Sequence, residues 1–210
     1  MKTFIKMNLP NKLTTLRMLA VIVFLVLALI PYNGIAENGN FLHSWFMASH
    51  ENFNIEWLRW TLAGIFIFAS LTDYLDGYLA RKNNLVTTYG KFMDPIADKL
   101  LVNSALILLT AWNIIPLGCT IIMILRDIFV DAIRMLAVSN GKVLAANVFG
   151  KVKTVLQMVG LATVFIWPVF NLTFPFDTIL IYLATIASLL SGIIYFIQNR
   201  KLIFGEGEII

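Results

Sequence analysis

Six apolar runs limit what this chain can become: residues 14–30, 57–78, 100–115, 121–138, 155–169 and 178–197. A helix needs about 20 apolar residues to cross a bilayer, with a range of about 17–25. Lipid offers the backbone no hydrogen-bond partners, so separate apolar runs can cross it only as helices. The expected fold class is therefore all-α, a polytopic membrane protein with six transmembrane helices. Composition agrees, since 59% of the 210 residues are hydrophobic and 13% are charged. A soluble globule of this size cannot cover so much apolar surface. Disorder is excluded by the same numbers, and a disulfide framework by the single cysteine, Cys119. Two runs fit less well: 121–138 carries four charges, and 155–169 is short unless Lys153 snorkels. A secretory signal peptide is the rival reading of 14–30. Its length and the lack of a small-residue cleavage site favour a span.

The charges alternate with the runs. Lys2, Lys6, Lys12 and Arg17 stand at the amino-terminal end, and Arg81, Lys82, Lys91 and Lys99 between the second and third runs. Lys142, Lys151 and Lys153 lie between the fourth and fifth, and Arg200 and Lys201 in the tail. Residues 32–56 hold Glu37, Glu51 and Glu56 but no Lys or Arg. Arg59, just inside the second run, is the exception. The positive-inside rule then places both termini in the cytoplasm. The expectation is one domain over 1–210, with a cytoplasmic arm at 1–13, an extracytoplasmic segment at 32–56 and a cytoplasmic tail at 198–210. Phe41, Trp45, Phe46 and Phe53 suit either an interfacial helix or a plain loop in 32–56. The net charge of +4 suits an anionic membrane surface. The basic residues form no contiguous run, so no nucleic-acid partner is expected.

Acids concentrate where the second run ends and the third begins. Asp73, Asp76, Gly77, Ala80 and Arg81 fall on one helical stripe. Asp94 and Asp98 form an i, i+4 pair on the next helix, which the sequence starts at Pro95 with Asp94 as its cap. Four carboxylates so placed repel one another unless cations lie between them. Oxygen ligands select hard ions such as Mg²⁺ or Mn²⁺. Two ions about 3.5–4 Å apart form the clamp used in phosphoryl displacement. Gly77 leaves the helix backbone open to a diphosphate. An intramembrane ion-pair network or a transporter's ion path is the competing reading.

The spacing resembles the CDP-alcohol phosphotransferase family, whose pattern is D-x2-D-G-x2-A-R-x8-G-x3-D-x3-D. Asp73, Asp76, Gly77, Ala80, Arg81, Gly90, Asp94 and Asp98 meet every position of it. The resemblance implies six transmembrane helices, a homodimer and two divalent cations, Mg²⁺ or Mn²⁺. It makes Asp73, Asp76 and Asp94 ligands of one ion, and Asp73, Asp94 and Asp98 ligands of the other. Asp98 resembles the general base. Gly77, Arg81 and Thr87 resemble contacts to the CDP donor. The reaction implied is attack of an alcohol on the phosphoryl group of a CDP-linked donor, with CMP leaving.

The acceptor is read from the other half. Arg126, Asp127, Asp131 and Arg134 share a broad face of the fourth helix, and Lys151 and Lys153 follow. The acids can neutralise the arginines, or the positive surplus can hold a phosphate. Residues 8–17 (NLPNKLTTLR) and 150–158 (GKVKTVLQM) resemble one branch of the family, which makes phosphatidylglycerol phosphate. That branch implies CDP-diacylglycerol as donor and sn-glycerol 3-phosphate as acceptor. It implies that Arg126, Arg134, Lys151 and Lys153 hold the glycerol phosphate, and that Asn11 and Thr14 border the cytidine. It also implies a plasma-membrane location with the site at the cytoplasmic face. Inositol-phosphate synthases of the same family need a similar basic cluster and are the close rival; serine or another alcohol is a further acceptor to test.

His43 and His50 read as interfacial, and Cys119 as a small buried hydrophobe. Ser188, Ser191 and Gly192 favour close helix approach, within the chain or across a dimer. Two other classes compete with an enzyme: a transporter, which would place such acids near the midplane, and an inert partner-binding subunit.

Overall fold

The computed structural model describes residues 9–29, 56–82, 88–141, 144, 148–166 and 176–204. They hold seven helices and no strand: α1 (Leu9–Leu29), α2 (Glu56–Lys82), α3 (Thr88–Ala111), α4 (Leu117–Ser139), α5 (Val148–Ile166), α6 (Phe176–Gln198) and α7 (Arg200–Phe204). Three segments are apolar and long enough to cross a membrane: Asn11–Leu29, Val148–Ile166 and Phe176–Gln198. The chain is thus an all-helical membrane protein. Helices α2, α3 and α4 have 27, 24 and 23 residues, and it is their ionised residues, not their length, that set them apart. The segment 32–55, with both histidines, and the tail acids Glu206 and Glu208 lie outside the described residues.

The chain divides into two compact units, Met1–Ile114 and Ile115–Ile210. In the first, α1 packs on α2 and α3, and α2 also touches α3. The buried positions of α1 are Asn11, Thr14, Arg17, Val21, Phe24 and Ala28. Their three- and four-residue steps keep one stripe toward the partners. The opposite stripe, with Leu19, Ile22, Val23 and Val26, is exposed and apolar, as lipid demands.

The third helix corrects the sequence reading. It starts at Thr88, so Asp94 is not its cap, and both Gly90 and Pro95 lie inside it. Proline removes a hydrogen bond and crowds the carbonyl four residues back, which in water normally ends a helix. In a membrane, neighbouring helices and side chains re-satisfy the freed group, and such prolines are tolerated. The extra turns carry the acid pair into the helix instead of leaving it at the mouth.

The end of α3 is well determined by local chemistry. Asn113 takes a left-handed φ of 59°, which asparagine tolerates better than most residues. Ile114 N–H donates to the Leu109 carbonyl at 2.9 Å and Asn113 N–H to that of Thr110 at 2.9 Å. These are the two bonds of a Schellman motif. Pro116 follows and precedes α4.

In the second unit α6 packs on α5 and α4, and α7 touches both α4 and α6. Gly150 approaches Ser191, whereas Gly160 approaches Leu180 and Ile181, so α5 and α6 are antiparallel. Val130, Ile133 and Tyr195 form a buried cluster between α4 and α6, with Phe196 and Ile203 against it. Helix α5 begins at Val148, seven residues before the sequence reading placed its apolar run. That places Lys151 and Lys153 within the helix, and Lys153 is buried rather than snorkelling to water.

Candidate functional site

The acid array is built on two helices of the first unit. Asp73, Asp76, Gly77 and Arg81 stand in the last three turns of α2, and Asp94 and Asp98 in the first half of α3. Both helices are continuous through these positions, so the stripe and the pair predicted from spacing are retained. Among the four acids, the side chains of Asp73 and Asp98 are described, and each is half-buried. The side chains of Asp76, Gly77, Arg81 and Asp94, and the whole of Thr87, lie outside the described residues.

Arg17 is the residue that sequence reasoning missed. It lies on the buried stripe of α1 and its side chain is fully covered. Its Nη1 donates to Oδ1 of Asp73, a carboxylate 31% exposed. An arginine buried beside lipid needs an anion, because an unpaired charge there is costly. The signal was available in the sequence: Arg17 falls in step with Thr14, Val21, Phe24 and Ala28, on the face that packs. Asn11 and Thr14, expected to border the nucleotide, lie on the same buried stripe.

A hard cation fits the chemistry of this donor set. Asp73 and Asp98 offer oxygen only, the ligand type that Mg²⁺ and Mn²⁺ prefer. Arg17 holds Oδ1 of Asp73 and so restricts the carboxylate's rotation.

The second unit holds the basic group. Arg126 Nη1 donates to Asp127 Oδ1 at 2.9 Å. Lys153 Nζ donates to both oxygens of Asp127, at 2.8 and 2.7 Å. Arg126 Nη2 donates to Ser191 Oγ at 2.5 Å. One network therefore joins α4, α5 and α6. Its side chains are 13% exposed at Arg126, 12% at Asp127 and 4% at Lys153. Two cations thus share the Asp127 carboxylate. Of the pairings that the sequence allows between Asp127 or Asp131 and the arginines, the structure shows that of Asp127 with Arg126. Arg134 is exposed and lies over the ring of Tyr195, 5.7 Å from its centroid. Lys151 is exposed. Ser188 and Ser191 are fully buried within the unit, so these small residues serve packing inside the chain. Cys119 is buried and free, as expected.

The aspartate array lies on one helix pair of the first unit, and the buried basic network on three helices of the second. The family model described as CDP-alcohol phosphatidyltransferase matches residues 7–194. A Bacillus subtilis protein named CDP-diacylglycerol–glycerol-3-phosphate 3-phosphatidyltransferase is 37% identical over 91% of this chain and 95% of its own. Proteins of the same name from Mycoplasma pneumoniae and Wigglesworthia glossinidia are 31% and 30% identical. They match over 93% and 91% of this chain, and over 89% and 94% of their own. The chain belongs to the CDP-alcohol phosphatidyltransferase family and is an enzyme of phosphatidyl-group transfer.

Proposed function

We propose that the chain transfers the phosphatidyl group of CDP-diacylglycerol to sn-glycerol 3-phosphate, giving phosphatidylglycerol phosphate and CMP. The observation that carries this is near-full-length similarity to curated relatives named for that reaction, together with an intact aspartate array on α2 and α3. The hydroxyl of glycerol 3-phosphate attacks the phosphorus that bears the diacylglycerol. A new P–O bond forms, the bond to the CMP oxygen breaks, and the alcohol proton passes to Asp98.

Asp73, Asp76 and Asp94 hold one divalent cation, and Asp73, Asp94 and Asp98 a second, either Mg²⁺ or Mn²⁺. When bound, these ions supply the positive charge that offsets the diphosphate and the departing CMP. Gly77, Arg81 and Thr87 hold the CDP moiety, with Asn11 and Thr14 beside the cytidine. Arg126, Arg134, Lys151 and Lys153 hold the acceptor's phosphate. Of these, Arg126 and Lys153 are the ones already fixed by neighbours. Both units form one catalytic domain, which the family match over 7–194 supports. The enzyme has six spans, both termini in the cytoplasm, its site at the cytoplasmic face of the plasma membrane, and a homodimeric state. The antiparallel α5 and α6 and the charge alternation support that topology.

The test is CMP release by purified protein with CDP-diacylglycerol, Mg²⁺ or Mn²⁺, and a panel of acceptors. Release is expected with glycerol 3-phosphate. Release with inositol phosphate, serine or phosphatidylglycerol instead would replace the acceptor; release with none of them would overturn the enzyme assignment for this donor.

A further inference from the structure

Lysine and arginine side chains carry about 2 kcal/mol of rotamer entropy each, so a binding site that fixes them beforehand gains affinity. In the second unit that fixing is visible. Asp127 does not pair with one cation but with two, and it takes Lys153 through both oxygens. Ser191, fully buried on α6, accepts from the far nitrogen of the same Arg126 guanidinium. The arginine stem passes over Gly192: a Cβ added there would stand 2.9 Å from Arg126 Cγ. A Cβ at Gly150 would stand 3.4 Å from its Nη2. Glycine on two helices thus leaves the channel in which the guanidinium lies. Of the five N–H groups of a guanidinium, Asp127 and Ser191 take two. The buried Nε has no hydrogen-bond partner among the described residues.

We infer that Asp127 and Ser191 are positioning residues for the acceptor's phosphate. They hold Arg126 and Lys153 in place and leave the remaining donors of the guanidinium for the phosphate oxygens. Asp127 does not touch the phosphate, because two anions repel. Gly192 is the space this arrangement requires. The inference rests on the proposed function, which gives Arg126 and Lys153 the acceptor phosphate, and it adds the residues that set their geometry.

The experiment measures steady-state kinetics of full-length Asp127→Asn, Asp127→Glu, Ser191→Ala and Gly192→Ala in detergent, after each is shown to elute as the wild type does. Ser191→Ala and Asp127→Asn should raise KM for glycerol 3-phosphate about 10- to 100-fold, the loss expected for one charge-assisted hydrogen bond. KM for CDP-diacylglycerol and kcat should stay within about threefold, since uniform binding alone is lost. Asp127→Glu should recover part of the affinity. If Asp127→Asn does not fold, Ser191→Ala and Gly192→Ala decide, the second by displacing the arginine stem. An unchanged KM for the acceptor in folded variants overturns the inference. So does an equal rise for both substrates, which marks a merely structural role. If the wild type uses a different phosphorylated alcohol, the acceptor assignment falls by itself, and the same variants are measured with that alcohol.

Discussion

Arg17 of α1 and Asp73 of α2 form an ion pair across 56 residues of sequence, Nη1 to Oδ1. The arginine is fully covered and the carboxylate is about one-third exposed. The first helix therefore does more than anchor the chain. It carries a fixed positive charge to the first acid of the array, and it also buries Asn11 and Thr14 on the same stripe.

Arg17→Met tests that pairing. The substitution keeps the volume of the stem but removes the bond from Nη1 to Asp73. Removing one partner of a buried pair costs about 3–5 kcal/mol. Here the remaining carboxylate can reach water, so the expected loss is about 1–3 kcal/mol. Thermal unfolding in detergent should show it as a lower midpoint. If Asp73 holds a cation as proposed, turnover should fall at least about tenfold, because a misplaced ligand of the reacting centre is costly. A variant with wild-type midpoint and turnover would show that the pair matters to neither.

Asp98→Asn removes the proposed proton acceptor and oxygen ligand while preserving shape. General-base catalysis alone contributes about 10²–10⁴-fold, so turnover should drop by at least about 10³. The midpoint of unfolding should move little, because Asp98 is only half-buried. Retention of wild-type CMP release in this variant removes Asp98 from the mechanism.

The division between what could be read and what could not follows the range of the interactions. The acid array depends on spacing along two helices, and its placement on α2 and α3 was legible from residues 73 to 98 alone. So was the all-helical class. The start of α3 differs because Pro95 is normally a helix breaker, yet the helix runs through it from Thr88. The burial of Lys153 is not legible in the sequence because its partner, Asp127, is 26 positions away and on another helix. Arg17 looked like one more positive-inside charge for the same reason. Ionised side chains on a packing stripe carry that information only once the partner helix is known.

Chelation gives a prediction independent of any substitution. The four acids offer oxygen ligands only, so EDTA should abolish CMP release, and excess Mg²⁺ or Mn²⁺ should restore it. Full activity after exhaustive chelation, with residual metal checked by elemental analysis, would leave the acids without the role given to them.

Gly160 tests the packing of α5 on α6. A Cβ there would stand 3.2 Å from Ile181 Cδ1 and 3.5 Å from Leu180 Cβ. The nearest atom is the end of a flexible side chain, so Gly160→Ala should be accommodated by a small shift of Ile181. Alanine also favours the helix over glycine by about 1 kcal/mol, and the two effects should leave the unfolding midpoint near that of the wild type. Gly160→Leu adds four carbons, three beyond alanine, that no rotamer of Ile181 can clear. Overpacking of this kind costs about 1–3 kcal/mol, and it should lower the midpoint clearly. The same wedge pushes on α6, which carries Ser191 at the antiparallel end beside Gly150. Gly160→Leu should therefore also weaken the acceptor, seen as a higher KM for glycerol 3-phosphate than in Gly160→Ala. Equal midpoints for the two variants would mean that α5 and α6 are not in contact at this position.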